Sequence, residues 1–132
     1  MPVETRTFGV NPADAGIMDN WAANIGGRWS VDARTLFAAR LCIAELFNNV
    51  IEHGTNRSSD DHVVLTLKRQ DTGLVVEFMD TRGKFDPTNT IGRSERLVKA
   101  VGGHGLLLVR AYASELGYHY DGKYNRTTLS IA

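Results

Sequence analysis

The chain holds a single cysteine, Cys42, in 132 residues. That excludes an internal disulfide and any zinc site built on several thiolates. It also lacks net charge, since 15 Lys and Arg offset 15 Asp and Glu. Capture of nucleic acid through bulk basicity is disfavoured on that balance, as is a polyacidic tail. The longest unbroken apolar runs are four residues, far short of the roughly 20 that span a bilayer. The first ten residues have no basic stretch leading into an apolar core, so they do not resemble a secretory signal. With 3 prolines and no linker or repeat, nothing divides the chain. A soluble protein of the reducing cytoplasm is the expectation, touching neither membrane nor nucleic acid directly.

What is present is globular in kind: 42% hydrophobic residues and 23% charged. At this length folding buries roughly two-thirds of the surface of the unfolded chain, enough for one core. One domain over residues 1–132 is expected. Glycine is plentiful at 13, and its placement matters below.

Residues 3–10 suit an edge strand. Asn11 is suited to cap a helix, Pro12 to its first turn, and Asp14 to the positive end of its dipole. That helix is expected to run to Ile25, stopped by Gly26-Gly27. A longer helix is expected from residues 30–32 to His53, with Gly54 in a left-handed cap. Residues 62–68 and 74–80 alternate as strands joined by a hairpin turn over 69–73. Residues 82–92 are irregular, 94–100 suit a turn or two of helix, and 106–116 suit a further helix. Residues 118–120 and 127–131 close as a hairpin around Asp121-Gly122. Hairpin-linked strands with helices on one face make an α+β, two-layer sandwich. Alternating βαβ units of the dinucleotide-binding kind are absent.

Three places carry chemistry. On the helix ending at His53, a step of 100° per residue puts Leu36, Ile43, Phe47 and Val50 on one side. Glu45, Asn48, Asn49, Glu52 and His53 gather on the other, with Glu45, Asn49 and His53 at i, i+4 and i+8. Such an arc is either an ordinary solvated face or a set of groups able to take a proton and hold a hydrated Mg²⁺. Gly102, Gly103, His104 and Gly105 precede Leu106, where backbone N–H groups and a helix start can face an anion. No Gly-Lys-Ser/Thr follows, so this is not a Walker A loop. Asp80 ends an apolar strand, placed either to begin a turn or to accept a hydrogen bond from an exocyclic amine.

Taken in order, these segments resemble the boxes of a GHKL-type (Bergerat-fold) ATP-binding domain: Glu45-x-x-x-Asn49-x-x-x-His53-Gly54, Asp80…Phe85-Asp86-Pro87, Gly102-Gly-His-Gly-Leu-x-Leu-Val109, and Asn125-x-x-Thr128-Leu129. More narrowly, the chain is similar to the bacterial anti-sigma factor serine/threonine kinases of the RsbW and SpoIIAB type, over nearly its whole length. The resemblance implies a mixed, mostly antiparallel sheet covered by helices on one face. It implies ATP with Mg²⁺, the metal on Asn49, and Glu45 as general base on a substrate serine. Asp80 would accept the adenine amino hydrogen, with Thr128 supporting that contact. Gly83 and Phe85 would line the nucleotide, and Gly102, Gly103, His104, Gly105 and Leu106 would wrap its phosphates. Residues 82–101 would form a lid, locally basic through Arg93, Arg96 and Lys99, and His53 would be structural. The implied partners are a STAS-type anti-anti-sigma protein as substrate, a sigma factor or similar client, and a second copy in a homodimer.

One position departs from that pattern. Arg82 stands where a glycine is expected two residues after the aspartate, and Gly83 follows. Either a charged side chain sits where the backbone meets the base and weakens the nucleotide, or the loop slides so that Gly83 serves. The first case favours the alternative function, a weak or inactive nucleotide-binding module that switches partners. The helix over 11–25 carries Ile17, Trp21 and Ile25 near one face, suited to packing or to a client surface. Cys42 is expected to be inert, and Trp29 and Tyr112 to be packing residues.

Overall fold

The computed structural model describes residues 2–53, 60–71, 73–83, 109 and 111–132. Among them, five strands form one sheet: β1 (Val3–Phe8), β2 (Val63–Gln70), β3 (Gly73–Asp80), β4 (Glu115–Tyr120) and β5 (Asn125–Ile131). Their spatial order is β1-β2-β3-β5-β4, and every described pairing is antiparallel. Two helices, α1 (Asp14–Arg28) and α2 (Ala33–His53), complete an α+β architecture.

Alternation along the strands decides what faces the helices. Phe8, Val63, Leu65, Leu67, Leu74, Val76, Phe78, Leu129 and Ile131 are buried, and they join Met18, Ala22, Ile25, Ala39, Cys42, Ile43, Leu46, Phe47 and Val50 in a single core. Each large side chain so covered contributes about 1.5–3 kcal/mol. Phe8 meets Trp21 edge to face at 5.6 Å, which seats the β1 edge against α1.

The boundaries of β2 and β3 follow the sequence closely, β4 begins three residues earlier than expected, and the helix boundaries follow less closely. Helix α1 does not start at Pro12. Asn11 to Ala13 form a turn in which the Asp14 carboxylate accepts from the Asn11 N–H at 3.0 Å, and the helix starts at Asp14. Nor does it stop at Gly26-Gly27; it continues to Arg28, and Ser30 takes the left-handed conformation at φ 51°. Gly26 is a packing glycine, since a Cβ there would lie 2.5 Å from the methyls of Leu36 on α2. Helix α2 begins just after the expected residues 30–32, and Asp32 caps it, its carboxylate accepting from the Thr35 N–H at 3.2 Å. Ile17 is exposed, while Met18 takes the inward position. The helix expected over 106–116 does not reach its end. Residues 111–112 are helical, but Ser114 donates to the Ser130 carbonyl at 2.7 Å, and β4 has begun by Glu115. Tyr112 is not a core residue: it is exposed and stacks edge to face on exposed Phe37 at 6.5 Å.

Candidate functional site

Helix α2 supplies the first half of the site. Its polar arc is not a uniform solvated face: Asn48 and Glu52 are exposed, Glu45 is half-buried, and Asn49 is buried at 6% exposure. Burial of a side-chain amide costs free energy unless its donors are used. Yet the Asn49 Nδ2 has no hydrogen-bond partner among the described residues. Glu45 lies one turn earlier on the helix and close enough to Cys42 for its charge to be felt there. Burial first, and then the Glu45 charge, push the Cys42 thiol up to about 11, so it stays protonated and unreactive.

Strands β3 and β5 supply the second half. The register pairs Asp80 with Asn125 at the ends of the two strands, both on the helix-facing side. Asp80 is 3% exposed, and several donors converge on its Oδ1: the Arg82 N–H and the Asn125 Nδ2, each at 3.2 Å. The Arg82 Nε lies 3.3 Å from the same oxygen, as an ion pair. Burial pushes the Asp80 carboxyl above its ordinary range, opposed by the Arg82 charge and by the Asn125 and Arg82 hydrogen bonds. Arg82 is itself buried, and its Nη1 donates to the Asn49 backbone carbonyl at 3.0 Å. One guanidinium therefore joins the end of β3 to the last turns of α2, where the helix dipole also favours a cation.

Asn125 organises the loop after β3. Its Nδ2 donates to the carbonyls of Arg82 and Gly83 at 3.0 and 3.1 Å, and its Oδ1 accepts from the Tyr118 hydroxyl. Beside it, the Tyr124 hydroxyl bonds His62 Nε2 at 2.7 Å, while His62 Nδ1 meets the Asp60 carbonyl at 2.7 Å. A carbonyl only accepts, so Nδ1 carries the proton and Nε2 accepts from Tyr124.

The structure thus brings Asn49, Asp80 and Arg82 together, with Glu45 one helical turn away and Gly83 exposed on the loop. Thr128 lies elsewhere. It pairs with Glu77 on the opposite sheet face from Asp80, because β5 side chains alternate. Thr127, buried and paired with Phe78, is the threonine on the Asp80 face. Asn125 is a residue of this site to which sequence reasoning gave no role of its own; its signal was an amide opposite Asp80 at the start of the last strand. Phe85, Gly102, Gly103, His104, Gly105 and Leu106, with most of the proposed lid, lie outside the described residues.

A family model for the histidine kinase-like ATPase domain matches residues 8–131, nearly the whole chain. The chain belongs to this family. It is 31% identical over 108 residues to the serine/threonine-protein kinase BtrW of Bordetella bronchiseptica, covering 78% of this chain and 73% of that protein. Among solved structures, the RsbU and RsbW domains of Rv1364c from Mycobacterium tuberculosis superpose with a TM-score of 0.71 at 15% identity. That match covers 99% of this histidine kinase-like ATPase domain, which spans only 32% of the neighbouring chain. At that identity the likeness is one of fold. Homology to BtrW and the family match support a kinase or ATPase activity. Among the described residues, no helix is long and apolar enough to cross a membrane.

Proposed function

We propose that this domain is an ATP-dependent serine/threonine protein kinase of the anti-sigma factor type, which phosphorylates a STAS-type antagonist and holds a sigma factor or similar client. The observation that carries this is Asn49, a buried amide whose Nδ2 has no partner among the described residues, one helical turn after Glu45 and joined through Arg82 to the buried Asp80. That donor set suits a magnesium nucleotide. Oxygen ligands suit Mg²⁺, and a polyphosphate offers the acceptors that a buried amide needs.

Each residue then has a task. Asn49 would hold the metal through its side-chain oxygen and offer its Nδ2 to a phosphate oxygen. Asp80 would accept from the base amino group, with Asn125 and Thr127 fixing its surroundings. Glu45 would take the proton of the attacking serine hydroxyl. Mg²⁺ held on Asn49 would supply charge neutralisation at the transferred phosphoryl, and the chain's own residues would contribute positioning.

A second function, a weak nucleotide binder that acts by switching partners, is favoured by one observation: Asp80 is already ion-paired with Arg82. The experiment that separates them is incubation with Mg-ATP and a STAS-type protein, followed by detection of phosphoserine. Transfer should fall by 10²-fold or more in Glu45→Ala, the usual size of a general-base contribution. Undiminished transfer in that variant would remove Glu45 from its role, and no transfer by the unaltered protein would favour the switching module.

A further inference from the structure

Arg82 makes the most unusual set of contacts in the described structure. Its side chain is turned inward at 7% exposure, with Nε 3.3 Å from Asp80 Oδ1 and Nη1 3.0 Å from the Asn49 carbonyl. A guanidinium presents fixed, coplanar donors. Here they bridge the carboxylate assigned to the base and the backbone of the residue assigned to the metal. A nucleotide whose base amino group reaches Asp80 while its metal sits on the Asn49 side chain meets the guanidinium at that carboxylate. The base amino group and the guanidinium, held there as an ion pair, compete for one buried carboxylate.

We propose that Arg82 is a built-in competitor of the nucleotide base: its guanidinium holds the Asp80 position, and a base binds only by displacing it. This rests on the assignment of Asp80 and Asn49 given above. Two consequences follow from the geometry. Affinity for ATP is set by the cost of breaking the Arg82–Asp80 pair, so the resting protein is a weak binder. Base selectivity is blunted as well. The exocyclic amino group reaches Asp80 only at the expense of its ion pair with the Arg82 guanidinium, and the net exchange is small compared with a bond to an unpaired buried acceptor.

The arrangement also closes the loop after β3 onto α2. Asn125 Nδ2 grips the Arg82 and Gly83 carbonyls from the other side. The loop backbone is therefore held independently of the guanidinium, and removing the side chain need not release the loop. That makes the competitor separable from the scaffold by substitution.

The test is calorimetric titration of Arg82→Gly, Arg82→Gln and the unaltered protein with ATP and with inosine triphosphate, which has a 6-oxo group in place of the amino group. The unaltered protein is expected to distinguish the two nucleotides by less than about threefold. Arg82→Gly is expected to bind ATP about tenfold tighter and to prefer it over inosine triphosphate about tenfold, the yield of one hydrogen bond to a charged acceptor. Arg82→Gln, which keeps a neutral side chain able to bond Asp80, should fall between them and serves alone if the glycine variant does not fold. Thermal melts establish which variants are folded. Equal or weaker ATP binding by folded variants overturns the proposal, as does tight, amino-selective binding by the unaltered protein. If no form binds either nucleotide, the assignment of the site itself fails, and the proposal with it.

Discussion

Asn125 and Asp80 face each other across two strand ends, and almost every polar contact of the site passes through that pair. Removing the Asn125 amide takes a donor from the buried Arg82 carbonyl, from the Gly83 carbonyl and from Asp80 Oδ1, and takes the Asn125 acceptor from the Tyr118 hydroxyl. Unsatisfied buried groups cost about 1–3 kcal/mol each when they cannot reach water. Asn125→Ala should therefore destabilise the fold by about 3 kcal/mol, read as a lower urea midpoint at unchanged slope. A midpoint within experimental error of the unaltered protein would contradict the role given to this side chain. The functional positions at this scale were partly legible in the sequence. Asp80 stood out as a carboxylate ending an apolar strand. The choice between Thr127 and Thr128 did not, because a one-residue difference along a strand reverses the face, and only the register with β3 decides it.

At the scale of elements, α1 and α2 meet where Gly26 lies against Leu36 and through an ion pair at the rim. Arg40 holds both Asp19 carboxylate oxygens at 2.8 and 2.7 Å. That hydrogen bonding, more than the Arg40 charge, lowers the Asp19 carboxyl below its ordinary 3.8. A carboxylate favoured in the folded state adds stability above the unfolded value and loses it as pH falls through the lowered folded value. Both side chains are partly exposed, so the gain is under about 1 kcal/mol and is screened by salt. Asp19→Asn should thus cost a few tenths of a kcal/mol at pH 7. The difference should vanish as pH drops from 3.8 downward, as measured by denaturant titration across pH. A constant difference at all pH values would show that charge is not its origin. Strands at this scale were read well, because alternation and the turn residues agree. Helix ends were read poorly. Gly26 resembles a stop signal in sequence, but the structure uses it to bring α2 within reach, through contacts with Leu36 that no local pattern reveals.

At the scale of the whole molecule, the described residues form a five-stranded antiparallel sheet backed by α1 and α2, with the candidate site at one end, where α2 ends beside the termini of β3 and β5. The neutral charge of the chain does not conflict with an anionic ligand. Orientation of a few buried groups, rather than net charge, gives the site its character. The family was legible from the order and spacing of the boxes, since these are set by the topology that brings α2 and β3 together. The inward course of Arg82 was not, because sequence marks a departure from a glycine but not where the replacement side chain goes. The central claim is that Asn49 and Asp80 belong to one magnesium-nucleotide site, and it is tested most directly by calorimetric titration with Mg-ATP. The unaltered protein should bind weakly, Arg82→Gly more tightly, and Asn49→Ala in the Arg82→Gly background at least about tenfold less tightly than Arg82→Gly alone. Equal binding with and without the Asn49 side chain, or no heat from any folded form, would contradict the account.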